Sequence, residues 1–292
     1  MAPEEGGSPG ASGSPGEPVG GSPVTRVELP VDTRATTGTT NAHLADGLLV
    51  DPAARTDALD EAVASHTPGV EAIAVTHAHP DHVGAVADYA DATGATVYAH
   101  ADHVDRFRTA TGIAPDGTFR DGDTLGTTGV RALDTPGHAP DHVAFVVERG
   151  AGGDGGTDVG VGDEDAAAAA LVGDLVVAEG SVVVGAPEGD LRAYLASLER
   201  VRDAGFDRLY PGHGPVVDDP TTACERLIDH RLERELRVLA AVEAGADDVD
   251  AVLESAYDTD LTGVEDLARA TVRAHLTKLV DEGRVDAAWT HA

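Results

Sequence analysis

Three histidines and an aspartate crowd into six residues of this chain, His77-Ala78-His79-Pro80-Asp81-His82, directly after the apolar run Val70–Val75. Neutral imidazoles suit zinc and similar divalent metals, and a carboxylate completes such a set. His77 and His79 stand one residue apart and cannot share a helix face, where neighbours are three and four apart. The spacing predicts a buried strand over Val70–Thr76 and a loop leaving it, with the peptide bent around an ion.

A site for two metal ions needs about seven or eight protein donors. Three later places offer them, each at the end of a short apolar segment. They are Thr135-Pro136-Gly137-His138 after Val130–Leu133, Gly173-Asp174 inside Ala170–Val177, and Pro211-Gly212-His213-Gly214-Pro215 after Leu209-Tyr210. Each is a turn signal carrying one donor. Alone, each reads equally well as a glycine-rich turn; their order after the histidine cluster is what makes them candidates.

With these segments and Asp51 in Leu48-Leu49-Val50-Asp51-Pro52, the chain resembles the metallo-β-lactamase-fold hydrolases from about Val24 to Pro215. The resemblance implies an α/β fold, a four-layer αββα sandwich. It implies that His77, His79 and His138 bind a first metal, that Asp81, His82 and His213 bind a second, and that Asp174 bridges them. Further segments resemble the β-lactamase-like protein 2 branch, including haloarchaeal members. These are Ala178-Glu179-Gly180-Ser181, Gly189-Asp190-Leu191, Tyr194–Leu198, and His230-Arg231 with Glu233. That branch adds a C-terminal helical, winged-helix-like domain. Its animal mitochondrial member is a single-strand-selective endoribonuclease, and its other members are metal-dependent hydrolases.

Charge constrains the surroundings more than the chemistry. The chain has 20 basic and 52 acidic residues, a formal net charge of −32, and Lys278 as its only lysine. Such self-repulsion brings an ordinary globular protein little. In multimolar salt the screening length falls to about 3 Å or less, and acidic surfaces stay hydrated. The composition therefore predicts a salt-adapted cytoplasmic protein, and the acidity does not by itself exclude nucleic acid. No apolar run approaches the length of a membrane span. The start, Met1–Glu5, lacks the basic and apolar regions of a secretion signal. The single Cys224 allows no internal disulfide and no thiolate cluster; it is expected to be a buried packing residue rather than a reactive thiol.

Residues 1–23, rich in Gly, Ser, Pro and Glu, predict a disordered acidic tail, and the Gly/Asp-rich segment 150–165 a flexible surface loop. Between and around these, residues 24–220 form the expected catalytic domain and 221–292 the winged-helix-like one. Strands are expected at Thr25–Leu29, His43–Val50, Thr96–His100, Val143–Val147 and Leu171–Val177. Helices are expected at Ala54–Ser65, Val83–Ala92 and Asp190–Ala204, the last with Asp190 as N-cap. The tail predicts helices at Thr222–Ala244, Asp248–Tyr257 and Gly263–Glu282, then a small wing over Arg284–Trp289. His43, His66, His100, His103, His230, His275 and His291 lack ligand context. His142, four residues after His138, reads either as an ordinary core histidine or as a support behind the ligands.

The expected chemistry is hydrolysis, because the chain has no G-x-S-x-G elbow and Cys224 lies outside the motif cluster. A hydroxide bridging two divalent ions is the expected nucleophile, with Asp81 orienting it and Asp174 holding both ions. Zinc is the first expectation from five imidazoles and two carboxylates, with iron or manganese as alternatives. The expected substrate is a small thioester or ester. Alternatives are single-stranded RNA and a hydroxyacylglutathione-like thioester. No membrane partner is expected, and homodimerisation stays open. Arg269, Arg273 and Lys278 on the last tail helix would favour RNA if they form one basic strip, and otherwise make ordinary ion pairs. The tail's 8 basic and 16 acidic residues from Thr222 work against phosphate binding.

Overall fold

The expected strand over His43–Val50 is in fact a hairpin. Asp46 and Gly47 take positive φ of 44° and 81°, and Ala45 pairs with Leu48 across them. An Asp-Gly pair of this kind makes the two-residue turn whose twist matches antiparallel strands. A computed structural model describes residues 24–148 and 169–291, with side chains as far as Trp289. The expectations for residues 1–23 and 150–165, and for the His291 side chain, lie outside the described residues.

Two sheets form the centre. The first runs in the order β1 (Thr25–Pro30), β2 (Thr39–Ala45), β3 (Leu48–Val50), β4 (Ala72–Ala74), β5 (Thr96–His100) and β6 (Gly117–Phe119). Strands β1 to β3 are antiparallel, and β3 to β6 are parallel. The parallel steps need crossovers, supplied by α1 (Asp57–Ser65), then α2 (Pro80–Val83) with α3 (Val86–Thr93), then α4 (Val104–Thr111). The second sheet holds β7 (Val130–Asp134), β8 (Val143–Val147), β9 (Ala169–Gly173) and β10 (Arg208–Pro211), joined edge to edge in that order. Helix α5 (Leu191–Asp203) crosses from β9 to its parallel neighbour β10.

The alternation of side chains along each strand builds the layers. Leu48 and Val50 point between the sheets, with Ala74, Phe119, Phe145 and Leu171. Leu49 between them points outward, onto Ile73, Leu59, Val86 and Phe107 under the helices α1, α3 and α4. On the other side Val146, Ala170 and Val172 meet Tyr194, Leu198, Cys224 and Leu227. This is the expected αββα sandwich. Each fully buried Leu or Phe contributes roughly 1.5–3 kcal/mol to it.

Helix boundaries follow local signals. Thr56 caps α1 by accepting from the Leu59 amide, so the helix starts later than its apolar spacing implied. Asp190 caps α5 as expected. The expected helix Val83–Ala92 is split into α2 and α3 at Gly84, whose missing Cβ leaves room for the Ala53 carbonyl; a Cβ there would sit 2.4 Å from it. The strand predicted over Val70–Thr76 shrinks to Ala72–Ala74, because Glu71 interrupts the apolar run and is exposed. Sequence pattern marks neither α4 nor β6.

The C-terminal region is helical: α6 (Pro220–Glu243), α7 (Val249–Ala256) and α8 (Glu265–Asp281). Its own core joins Val238 with Val252, Leu253, Val272, Leu276 and Leu279. Helix α6 belongs to both cores, because its first turns carry Cys224 and Leu227 onto the second sheet. The expected wing is not there. Residues 284–286 belong to no strand and Ala287–His291 is a short 3-10 helix, with Trp289 packed on the tail core. Nor do the three basic residues form a strip. Spacings of four and five leave Arg273 and Lys278 about 140° apart around a helix. Arg269 pairs with Asp250 at 2.5 Å, while Lys278 turns inward to Glu235 at 2.9 Å and Glu282 at 2.8 Å. Among the described residues, no helix is long and apolar enough to cross a membrane.

Candidate metal centre

Each proposed donor, and Asp51 beside them, sits just past a strand end, on the same rim of the sandwich. Asp51 follows β3, His77 to His82 follow β4, His138 follows β7, Asp174 follows β9 and His213 follows β10. The histidine motif is only partly a loop. Pro80 opens α2, so His77 and His79 precede the helix while Asp81 and His82 ride on it. Glycines let the strands come this close. A Cβ on Gly212 would lie 2.8 Å from the His82 ring and 2.9 Å from Asp174. One on Gly173, at φ +44°, would lie 2.5 Å from the Thr76 hydroxyl.

The structure brings all seven donors together. His77, His79 and His138 form one cluster, His77, His82 and Asp174 another, and Asp81, His82 and His213 a third; within each, the donor atoms lie within 4.8 Å of one another. His79 Nδ1 lies 2.9 Å from His77 Nε2 and 3.0 Å from His138 Nε2. Asp174 spans the clusters, with Oδ1 at 3.6 Å from His82 and 3.4 Å from His213, and Oδ2 at 3.6 Å from His138. Asp81 Oδ2 lies 3.7 Å from His213 Nε2.

The outward-facing nitrogens decide what fills the middle. His138 Nδ1 donates to the Val183 carbonyl at 2.7 Å and His213 Nδ1 to the Thr39 carbonyl at 2.8 Å. His82 Nδ1 donates to Asp51 at 3.0 Å and His79 Nε2 to Glu188 at 3.2 Å. His77 Nδ1 meets the Thr76 hydroxyl at 3.1 Å, and that hydroxyl itself donates to Asp51 at 2.7 Å. When neutral, all five rings therefore aim a lone pair inward. Lone pairs facing each other at 2.9–3.0 Å make no hydrogen bond. Furthermore, His82 Nε2 and Asp174 Oδ1 are buried without a hydrogen-bond partner. A divalent cation satisfies all of these atoms at once, so the donor set fits a metal centre.

The electrostatics agree. Burial, reinforced by the neighbouring imidazoles, holds His77 well below its ordinary pKa. Burial also lowers His138, against the pull of Asp174. For His82, burial is outweighed by the carboxylates of Asp51, Asp174 and Asp81, which push it up to about 9. Asp174 is held well below the carboxylate range despite its burial, by His82, His213 and His138. Such a site holds a proton on His82 until a cation displaces it.

Several groups support the donors, and of these only Asp51 and His142 stood out in the sequence. Asp51, at φ +52°, accepts from the Thr76 amide and hydroxyl at 2.7 Å each. Arg106 joins Asp141 at 2.8 Å to Glu188 at 2.9 Å, and Asp141 accepts from the Ala78 amide at 2.9 Å. Thr33 donates to Asp81 at 2.6 Å. His142 does stand behind the ligands: its Nε2 accepts from the Asp174 amide at 3.1 Å. Burial, chiefly, lowers its pKa to about 3, so it is neutral. The histidines without ligand context stay outside the clusters: His43 lies edge-on to Tyr210, His66 accepts from the Gly47 amide and His100 pairs with Asp134. Cys224 is buried, and burial pushes its thiol up to about 12, so it packs rather than reacts.

Comparison with known proteins settles the family. The profile of the Metallo-beta-lactamase superfamily matches residues 36–213, more than half of the chain, and spans every donor described above. The chain belongs to the metallo-beta-lactamase superfamily. Superfamily relatives include the Beta-lactamase-like protein 2 homolog of Caenorhabditis elegans, 28% identical over 78% of this chain and 71% of that protein. The Atrochrysone carboxyl ACP thioesterase of Aspergillus chevalieri is 31% identical over 64% of this chain. The chain spans about half the length of that relative, 52%. The crystal structure of a metallo-beta-lactamase family protein from Thermus thermophilus aligns with a TM-score of 0.66 and 25% identity, covering 89% of this chain and 94% of that one. Membership, thioesterase-named superfamily relatives and the assembled donors make this superfamily member a metal-dependent hydrolase.

Proposed function

We propose that the chain is a binuclear metal-dependent hydrolase acting on a small thioester or ester. The observation that carries this reading is the set of five imidazole lone pairs turned inward around Asp81 and Asp174. His77, His79 and His138 would hold one ion, Asp81, His82 and His213 the other, and Asp174 both. When bound, the ions supply Lewis-acid activation of water and polarise the attacked carbonyl. The chain's own residues orient that chemistry. Asp81, fixed through Thr33, would orient the attacking water, and Glu188 fixes the His79 ring from the rim. Zinc is the proposed metal, on the strength of the imidazole-rich set.

The thioester reading draws support from the fungal relatives named as thioesterases, at 31% and 32% identity. Cleavage of single-stranded RNA is the second reading, supported by the resemblance to the β-lactamase-like protein 2 branch. The tail argues against it. Lys278 and Arg269 are already engaged by carboxylates, and phosphate contacts weaken steeply in salt. We also propose a salt-adapted, cytoplasmic protein divided at residues 24–220 and 221–292. A panel of acyl thioesters, esters, hydroxyacylglutathione, phosphodiesters and single-stranded RNA, assayed with zinc-loaded protein in multimolar potassium chloride, tests the reading. Thioester or ester turnover well above the rest is the expected result. RNA cleavage with inert thioesters would replace it with the second reading.

A further inference from the structure

We infer that Arg231, on α6 of the C-terminal region, is a positioning residue for the metal ligands His138 and Asp174. This rests on the metal-centre reading above. Arg231 is buried, with 3% exposure. No carboxylate pairs with it among the described residues, and its Nε has no hydrogen-bond partner. A guanidinium taken out of water without a counter-ion is costly, so a residue that merely filled this space would be better apolar. What the charge does is hold backbone.

Its Nη2 donates to the carbonyl of Val182. The next carbonyl along, Val183, is the acceptor for His138 Nδ1 at 2.7 Å. Residues 181–185 belong to no strand or helix, so no ladder of backbone hydrogen bonds fixes that carbonyl. Arg231 supplies the anchor one residue away. Val182 and Val184 are buried on either side, whereas Val183 is 36% exposed.

A second arm leads to Asp174. The Arg231 guanidinium lies 5.6 Å from the ring centre of Tyr194, which is fully buried. The Tyr194 hydroxyl donates to the Leu175 carbonyl at 2.7 Å, directly after the bridging aspartate. Tyr194 also abuts the His138 turn: a Cβ on Gly137 would fall 2.2 Å from the Tyr194 amide nitrogen. One buried cation therefore braces both segments. Helix α8 adds to the same loop through the Ala186 amide, which donates to the Ala270 carbonyl at 3.0 Å. The C-terminal region thus bears on the ligand geometry without contributing a ligand.

The test compares wild type with Arg231→Met, Arg231→Lys and Tyr194→Phe by two readouts. One is zinc affinity by competition with a chromophoric chelator. The other is the imidazole tautomer of His138 in the zinc-free chain, read by nitrogen-15 NMR at a pH where it is neutral. Arg231→Met is expected to weaken zinc binding roughly ten- to a hundred-fold, as loss of a ligand-orienting group does. His138 should then lose its single Nδ1–H tautomer, while His213, held by the Thr39 carbonyl, keeps its own. Arg231→Lys should recover part of both, and Tyr194→Phe should weaken zinc while sparing the His138 tautomer. Wild-type affinity and tautomer in Arg231→Met would overturn the inference, as would equal disturbance of His138 and His213, which would mean general loosening. If Arg231→Met does not fold, Arg231→Gln, which removes the charge but keeps a polar side chain, carries the same comparison, and wild-type values in both readouts overturn the inference. Wild-type protein that takes up no zinc would instead sink the metal reading, with the tautomer data left standing on their own.

Discussion

The two halves of the ligand cluster are held by different kinds of structure. His82 and His213 lean on the strand framework, through the buried Asp51 at the end of β3 and the Thr39 carbonyl at the start of β2. His79 and His138 lean on the segment after Asp174, through Glu188 and the Val183 carbonyl. The Asp51 side chain is 1% exposed and that of Glu188 is 47% exposed. Salt and water weaken an exposed ion pair far more than a buried one. The first half is therefore preformed by the sandwich, and the second depends on a loop that the C-terminal helices brace. In a protein with this charge, the salt sensitivity of metal binding should reside in the loop-held half.

Asp174 belongs to both halves, and its removal should have the largest effect. Asp174→Ala is expected to lose both ions and all hydrolysis, because its carboxylate faces His82 and His213 with one oxygen and His138 with the other. His142→Ala removes only the acceptor behind the Asp174 amide and should cost roughly 10–100-fold in affinity or activity. Elemental analysis after removal of loose metal, beside rate measurements, checks this; wild type should retain close to two ions per chain, and equal mild losses in both variants would contradict the bridging role.

Next in size is Asp51→Asn, which strikes the framework half directly through His82 and reaches the other half only at one remove, through the Thr76 hydroxyl and His77. Asparagine tolerates the positive φ at this position, but it cannot accept from Thr76 and His82 as a carboxylate does. A loss of about 1–3 kcal/mol in stability is expected from the weakened buried network. The zinc equivalent held by His82 should weaken the more, by roughly 10–100-fold. Calorimetric titration that shows both equivalents falling together would remove the distinction between the halves.

The sequence was legible where function forced unusual residues together. H-x-H-x-D-H has no structural reason to exist, so its clustered donors stood out directly, whereas the strand before it proved shorter than its apolar run and half of the motif lies on a helix. The later single donors were readable only in order, at strand ends. What stayed hidden is long-range: Glu188 meets His79 across 109 residues, and Arg231 reaches Val182 across 49. Glu188 is an ordinary charged residue in an acidic chain, and Arg231, although it lies in a segment that resembles the β-lactamase-like protein 2 branch, has no spacing that ties it to Val182. The missing wing has a similar cause. Residues 284–289 alternate weakly enough that packing Trp289 onto the tail core prevails over pairing as a hairpin.

A third measurement separates proton from cation at His82. Its pKa is raised to about 9 by Asp51, Asp174 and Asp81, against its own burial. A raised histidine contributes stability that is complete below its unfolded value, about 6.5, and is lost as pH rises through the folded value. Chelator-treated protein should therefore lose thermal stability between pH 6.5 and about 9, while zinc-loaded protein should not through this group. Zinc uptake at pH 7 in weak buffer should release a proton that is absent above pH 9. Uptake without proton release at pH 7 would show that His82 is already neutral and that the framework half is less acidic than the geometry implies.

The smallest effect expected, and the sharpest test of the asymmetry, comes from Glu188→Gln. Arg106, first through its hydrogen bonds, holds the Glu188 carboxyl down to about 2, and His79 adds to this, so glutamate is fully charged at neutral pH. Glutamine keeps an acceptor for His79 Nε2 and removes the charge that Arg106 binds. Because the pair is half exposed, the loss of fold stability should stay below about 1 kcal/mol. Zinc affinity of one equivalent should fall by less than about tenfold at low salt. In multimolar potassium chloride the difference from wild type should shrink, since screening already removes most of the charge term. Asp51→Asn, buried among its partners, should show no such convergence. If both variants respond alike to salt, the two halves are held with equal stiffness, and the bracing of the loop by α6 and α8 has no bearing on the ions.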